Sequence, residues 1–211
     1  MIHIVKQILR ERENEIETYF SFLKIFLQED NTDRELSKIL RANLILMLYN
    51  LIESTISNAI ECIHNSVHAN NTSFDSLNVK FKKILIKNIK EYQNPHDFVT
   101  QINFLATDIV KKSFSKNRIS NGNIDNETIS KLADNYGFSK NTCYTKTKSG
   151  ICLKSIRAKR NDLAHGTFSF VEVGKDYSFD DLKSMKDETI NYINNIVENI
   201  AIYLSEKAYI V

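Results

Sequence analysis

Apolar residues recur at helical spacing through the first third of the chain. Between Ile4 and Leu27 they fall every three or four positions with charged residues between them, which predicts an amphipathic helix. Asp33 predicts the N-cap of a second helix, since aspartate accepts hydrogen bonds from the first free backbone amides. The apolar rhythm then continues to Ile63, so we expect a helix of about 35 residues that is long enough to span a domain.

The remaining chain shows the same spacing in shorter segments. It predicts helices over 74–92, from His96 to about Phe114, in NETISKLADNYGF with Gly137 after its end, in ICLKSIRAKRNDLAHG with Gly166 after its end, and from Phe179 to at least Ile202. SKNRISNGNID predicts a loop. SKNTCYTKTKSG is compatible with a loop or with an irregular hairpin, and the sequence does not separate the two.

Composition supports an all-α bundle. The chain has 211 residues, of which 42% are hydrophobic, which is enough for one domain over residues 1–211 with a sizeable core. Five glycines and one proline are few for an all-β fold, which needs frequent turns. Three cysteines without CxxC spacing argue against a disulfide scaffold and against a zinc ribbon.

The sequence predicts a soluble, cytoplasmic protein. The segment MIHIVKQILRERENEIE becomes charged too early for a signal peptide. The richest apolar run, ANLILMLYNLI, is shorter than the roughly 20 residues that cross a bilayer. The odd number of cysteines also fits a reducing compartment, and the net charge of +2 is too close to balance to indicate a partner.

A stretch rich in basic residues leads into the last third of the chain. We call its seven cations the basic strip: Lys140, Lys146, Lys148, Lys154, Arg157, Lys159 and Arg160, with no Asp or Glu between the first and the last. Hydroxyl residues and Tyr144, which can stack on a base, lie among them. A phosphate backbone would bind such a surface, which makes Lys146, Lys148, Lys154, Arg157 and Tyr144 candidate RNA contacts; the alternative is a solvated lysine face.

The segment KRNDLAHG at the end of the predicted 151–166 helix contains residues that suit attack on a phosphodiester. Histidine titrates close to neutral pH, so His165 can take a proton from a ribose 2′-hydroxyl or supply one to the leaving 5′-oxygen. Arg160 can donate paired hydrogen bonds to phosphate oxygens, and Asn161 can hold the substrate or orient the imidazole. This chemistry requires no metal ion.

The same residues also allow a purely structural interpretation. His165 and Gly166 would then form an ordinary C-terminal cap, with Arg160 paired to Asp162 or another carboxylate. Arg160 and His165 are five positions apart, which separates them by roughly 140° on an ideal helix. Spacing alone therefore permits both interpretations.

IRAKRNDLAHG resembles the R-x-x-x-x-H motif of the HEPN superfamily (higher eukaryotes and prokaryotes nucleotide-binding). The order of elements is similar to the MAE-type branch, often called RiboL-PSP-HEPN: a long early helix around RANLILMLYNLIESTI, a variable basic middle, the motif helix and a closing helix. The resemblance implies an all-α bundle. In active members it implies a metal-independent endoribonuclease, frequently a toxin or an abortive-infection, anti-phage effector, whose active site lies between two protomers.

Carried over to this sequence, the resemblance implies a role for each motif residue. His165 would be the general base or acid, Arg160 the phosphate clamp, and Asn161 the polar residue that follows the arginine; Asp162 fits the motif loosely. Some relatives have a tyrosine two residues after the histidine that an antitoxin modifies, but Thr167 stands here. Glu53 on the long helix is a further candidate, because a carboxylate in an apolar pattern needs a partner such as Arg160; the alternative is a solvated position at the edge of that pattern.

The partners and the alternatives follow from the same resemblance. RNA, a second copy of the chain, and an antitoxin or defence-system subunit are the expected partners, and no cofactor or metal is expected. His64 and His68 lie four positions apart on the predicted second helix, with Cys62 nearby, and could bind zinc, but the sequence offers no third ligand at a suitable spacing. The alternative function is a catalytically silent HEPN module that binds nucleic acid or a partner subunit.

Overall fold

The computed structural model of the protein describes residues 1–28, 33–90 and 122–211. In these ranges the chain forms eight α-helices and no strand. The helices are α1 Ile2–Phe26, α2 Arg34–Ala69, α3 Val79–Lys90, α4 Asn126–Tyr136, α5 Tyr144–Thr147, α6 Cys152–Ala164, α7 Phe170–Gly174 and α8 Phe179–Ser205. The predicted all-α bundle with a long early helix is confirmed.

Helix α2 is the central element of the bundle. Helices α1, α6, α7 and α8 all pack against it. Its N-terminus is fixed as predicted, because the Asp33 side chain accepts hydrogen bonds from the backbone amides of Glu35 and Leu36 at 2.9 and 3.1 Å. The helix has 36 residues, and buried apolar residues occur along most of its length, from Ala42 to Val67, so α2 supplies much of the core.

Among the described residues, α2 is also the one helix with the length and composition to cross a membrane. Half of its most apolar window is buried inside the bundle, against the neighbouring helices. A central helix that contacts protein on several sides needs apolar residues around much of its circumference, which accounts for this composition.

The short helix α7, which the hydrophobic pattern did not predict, brings the chain after α6 back onto α2. Ser169 and Glu172 form a capping box at its start. At its end Gly174 lies directly on the α2 backbone, where a β-carbon would come within 1.8 Å of the Lys38 carbonyl oxygen. Only glycine permits this approach.

One predicted helix differs from the structure in its bounds, and others fall partly or wholly outside the described residues. The predicted helix over 74–92 begins later, as α3, because the Asn78 side chain accepts the backbone N–H of Phe81 and so caps the helix. Residues 74–76 form a separate 3₁₀ turn. The predicted helix from His96 to Phe114, the end before Pro95 and the first part of the loop SKNRISNGNID lie outside the described residues.

Residues 139–150 form neither of the two structures that the sequence allowed. They contain the single turn α5, followed by a 3₁₀ turn at Lys148–Gly150. Lys148, Ser149 and Gly150 all have positive φ, at 45°, 57° and 69°. A β-carbon on Gly150 would lie 2.8 Å from the Tyr192 ring, so the turn packs closely against α8.

The other predicted helix ends are confirmed. Gly137 follows α4 with a φ of 96°, and its N–H donates to the Ala133 carbonyl at 2.7 Å. Ser178 and Asp181 form a capping box at the start of α8. Helix α6, which contains the KRNDLA segment, ends at Ala164 before Gly166.

Candidate active site

The end of α6 is a Schellman motif. Thr167 donates its N–H to the Asp162 carbonyl at 2.9 Å, and Gly166 donates to the Leu163 carbonyl at 3.2 Å. Gly166 has a φ of 67°, which favours glycine. The motif makes His165 the C-cap residue, directly after the last residue of the helix, and its side chain is exposed to solvent. The cap predicted by the structural interpretation is therefore present, and it also presents the imidazole to solvent.

Arg160 points from α6 towards α2. Its guanidinium carbon lies 4.8 Å from the centre of the Tyr49 ring, within the range of a cation–π contact. Gly122 lies on the same group, since a β-carbon there would be 2.7 Å from Nη1 and 3.3 Å from Cζ. The guanidinium is thus in contact with a buried ring and with a glycine backbone, and we call this pair, Tyr49 and Gly122, the arginine clamp.

Asn161 links Arg160 to the segment before α4. Its Oδ1 accepts a hydrogen bond from Nη1 of Arg160 at 3.0 Å, and its Nδ2 donates to Oδ1 of Asn123 at 3.2 Å. Asn161 therefore fixes one edge of the guanidinium. This is a direct contact between two of the predicted motif residues.

Residues 122–125, which we call the site loop, contact the site one after another. Beyond the Gly122 and Asn123 contacts, Ile124 donates its N–H to the Tyr49 hydroxyl at 3.4 Å. Asp125 pairs with Arg157 at 2.6 Å and also caps α4 by accepting the Thr128 N–H. Four consecutive residues of this loop are thereby attached to α2, to α4 or to α6.

Tyr49 is fully buried on α2, and its hydroxyl stays protonated at neutral pH. Burial is the main cause that raises the pKa of Tyr49, and the charge of Glu53 adds to it. The hydrogen bond from Ile124 and the charges of Arg160 and Arg157 oppose this shift. Glu53 thus lies close enough to influence the clamp.

Three of the four cations on α6 are neutralised by carboxylates. Besides the Arg157–Asp125 pair, Lys154 pairs with Glu127 at 2.5 Å and Lys159 with Asp176 at 3.4 Å. Arg160 differs from them: within the described part of the chain, no carboxylate lies at ion-pair distance from its guanidinium. The pairing of Arg160 with Asp162 or Glu53 that the sequence allowed is absent among these residues. Among the described residues, the acceptor of its one hydrogen bond is Asn161.

Outside α6, the basic strip also contains lysines with and without a carboxylate partner among the described residues. Lys140 pairs with Asp134 at 2.9 Å. Lys146 and Lys148 are exposed, and neither forms an ion pair with any described carboxylate. Nζ of Lys148 lies 5.6 Å from the centre of the Tyr144 ring, which is 63% exposed. Of the predicted RNA contacts, Lys146, Lys148 and Tyr144 thus lie together on the surface, whereas Lys154 and Arg157 are engaged by carboxylates.

The predicted catalytic pair is not joined in the single chain. Arg160 is half-buried against α2, whereas His165 is exposed, and no hydrogen bond connects these two described side chains. Asp162 contributes through its carbonyl oxygen, which accepts the N–H groups of Thr167 and Phe168. Substrate, or a second chain, must therefore lie between the two groups if they act together.

One family model matches almost the whole chain. The chain matches the family described as HEPN_MAE_28990-like HEPN over residues 4–209. The chain belongs to this HEPN family. Neither the curated proteins nor the solved structures include a match. Membership supports a nuclease-like or RNA-binding module.

Sequence reasoning did not identify the arginine clamp of this HEPN protein. Tyr49 lies within the apolar pattern of α2, which indicates only a core position, and it is buried. Gly122 and Asn123 lie in a segment interpreted only as a loop. The one signal in the sequence is a glycine next to Asn and Asp residues, which is common to many turns.

His64, one of the two histidines considered for zinc, packs in the core of the HEPN bundle. His64 is buried, and its Nε2 lies 2.8 Å from the Tyr136 hydroxyl, while its ring contacts Phe81. Among the described residues there is no group of three or more His, Cys, Asp or Glu side chains that could hold a metal ion.

The ion pairs predict different consequences for two basic residues of α6. Arg157→Met leaves the Asp125 carboxylate, which is 1% exposed, without its cation, so we expect a loss of about 1–3 kcal/mol in the free energy of unfolding. Lys154→Met breaks an exposed pair and should cost less than about 1 kcal/mol. Urea denaturation of both variants measures the difference. Equal effects would contradict a structural role for Arg157.

Proposed function

We propose that this protein is a metal-independent endoribonuclease of the HEPN type. The observation that carries the proposal is Arg160, a positioned guanidinium without a carboxylate partner among the described residues, in a helix whose other cations are neutralised. An arginine that serves only stability is expected to pair with a carboxylate. One that binds a phosphate must leave its donors available, and among the described residues Arg160 donates only to Asn161.

Each residue of the motif has a role in the proposed reaction. The ribose 2′-oxygen attacks phosphorus while the imidazole of one His165 accepts the 2′-proton. The P–O5′ bond breaks as a second group, acting as an acid, protonates the 5′-oxygen. The products are a 2′,3′-cyclic phosphate and a 5′-hydroxyl, so no water is consumed. Arg160 stabilises the charge that grows on the non-bridging oxygens, and Asn161 holds the guanidinium.

We propose further that two protomers form each active site. A single chain supplies one exposed His165, whereas the reaction uses both a base and an acid. A two-fold axis beside the end of α6 would bring both imidazoles to one phosphate. Titrating His165→Ala chains into wild-type chains at constant total concentration tests this point: if each site needs both imidazoles, activity should fall with the square of the wild-type fraction, and a fall in direct proportion to that fraction would count against shared sites.

The biological role proposed from the family is that of a toxin or anti-phage effector in the cytoplasm. An RNase of this kind requires control, so an antitoxin or another defence-system subunit is the expected protein partner. Thr167, which is exposed, stands where some relatives have the modified tyrosine, and tyrosine modification is therefore not part of this proposal.

The first prediction of the proposal concerns cleavage. The wild-type protein should cleave a pool of single-stranded and structured RNA in EDTA and leave 2′,3′-cyclic phosphate ends. His165→Ala should reduce the rate by about 10²–10⁴-fold, because it removes the proton-transfer group. Mapping of product ends with single-turnover kinetics measures both. A folded wild type that binds RNA but does not cleave it would support the silent HEPN module instead.

The second prediction concerns the exposed lysines. Lys146→Gln with Lys148→Gln should weaken RNA binding and reduce the slope of log affinity against log salt by up to about 1.4, since each phosphate contact on a single strand contributes about 0.7. The matched control, Lys140→Gln with Lys154→Gln, removes the same charge from lysines that already pair with Asp134 and Glu127. An equal slope change in both variants would contradict a specific role for Lys146 and Lys148.

A further inference from the structure

We infer that the arginine clamp, Tyr49 with Gly122, is a positioning device that orients the Arg160 guanidinium for one RNA phosphate. This inference rests on the proposed function and extends it to two residues outside the R-x-x-x-x-H motif. Neither residue touches the reacting atoms. Both act through Arg160.

Contact geometry supports the orienting role. The Tyr49 ring lies 4.8 Å from Cζ of Arg160, and Asn161 accepts a hydrogen bond from Nη1. A ring contact and a hydrogen bond together restrict a planar guanidinium more than either contact alone. The ring contact fixes the face of the guanidinium, and the hydrogen bond fixes one of its edges. The remaining N–H groups then point in defined directions.

Gly122 supports the same role through its lack of a side chain. A β-carbon there would approach Nη1 to 2.7 Å, Nη2 to 3.2 Å and Cζ to 3.3 Å, so alanine requires the guanidinium to move. The obstructed group is the end of a flexible side chain and not backbone, so the fold can accommodate the substitution while Arg160 shifts.

Tyr49 connects the orientation of Arg160 to the core of the bundle. It is fully buried in α2, and its hydroxyl accepts the Ile124 N–H, which holds the site loop in place. Asn123 of that loop in turn accepts from Asn161. The ring that contacts Arg160 and the loop that carries Gly122 are therefore held by the same tyrosine.

Correct orientation matters because the charge to be stabilised develops in the transition state. A guanidinium held in place needs no reorganisation when that charge appears, whereas a displaced one loses its two-point contact with the phosphate. Displacement by about 1 Å can cost on the order of 100-fold in rate. The clamp should therefore act mainly on kcat, and less on KM.

The test compares two glycine substitutions. Gly122→Ala and Gly137→Ala both place alanine at positive φ, at 72° and 96°, and so carry similar backbone strain. Only Gly122→Ala displaces Arg160; at Gly137 the nearest atom to a β-carbon is Cδ of Lys80 at 3.4 Å. We expect kcat for RNA cleavage to fall about 10–100-fold in Gly122→Ala and less than about twofold in Gly137→Ala, with similar Tm values.

A double-mutant cycle separates the clamp from a general structural effect. In an Arg160→Ala background, Gly122→Ala should change the single-turnover rate less than about twofold, since the group it displaces is gone. Tyr49→Phe keeps the ring but loses the Ile124 hydrogen bond, so it should lower kcat less than Tyr49→Leu, which also removes the ring contact and should reproduce at least the Gly122→Ala loss.

The outcomes distinguish the two proposals. If wild type cleaves RNA but Gly122→Ala behaves like Gly137→Ala, or loses the same factor with and without Arg160, the clamp inference is wrong and the nuclease proposal stands. If folded wild type does not cleave RNA, the nuclease proposal fails, and the clamp inference fails with it.

Discussion

Burial of the long helix α2 is the constraint on which both the bundle and its candidate site depend. Four other helices pack against it, and its apolar residues form much of the core. Tyr49 lies in this buried stretch, so close packing restricts its side chain. The ring contacts Arg160 and the hydroxyl holds the site loop, so the packing that stabilises the fold also determines where the arginine lies.

The candidate site combines a well-packed support with a cation, Arg160, that has no carboxylate partner among the described residues. Arg157, one turn before Arg160, pairs with a buried carboxylate and joins α6 to the start of α4. Arg160 has a ring, a glycine and an amide oxygen around it in the described structure, and none of these neutralises a cation. Such an arginine contributes less to stability than a paired one, which is the pattern expected where stability is lost in favour of ligand binding.

Much of the fold could be predicted because helical periodicity is a local property. Helices α1, α2, α4, α6 and α8 are long enough to show it, and capping residues such as Asp33 and Gly137 mark where helices start or end. Helices α5 and α7 have four and five residues, too few for a periodic pattern to show. The close contact of Gly174 with α2 could not be predicted from the sequence either, because it depends on tertiary packing.

The candidate site was predictable only in its motif residues. Arg160, Asn161 and His165 are adjacent in sequence and resemble a known pattern, whereas their supports come from distant segments. The basic strip appeared uniformly positive because Glu127, Asp125 and Asp176, which neutralise part of it, lie outside its sequence range. Tyr49 has the spacing of a core residue and is one. Only the folded chain shows that its ring also contacts the arginine.

The central claim, that Arg160 is held available for a phosphate, is tested most directly by guanidinium NMR. A His165→Ala protein with ¹⁵N-labelled arginine would be titrated with a short single-stranded RNA, with Arg157 as the internal reference. We predict that the Arg160 side-chain resonance shifts saturably with RNA, while that of Arg157, which is already paired with Asp125, does not shift. Saturable RNA binding that shifts the Arg157 resonance and leaves the Arg160 resonance unchanged would show that Arg160 does not bind the phosphate.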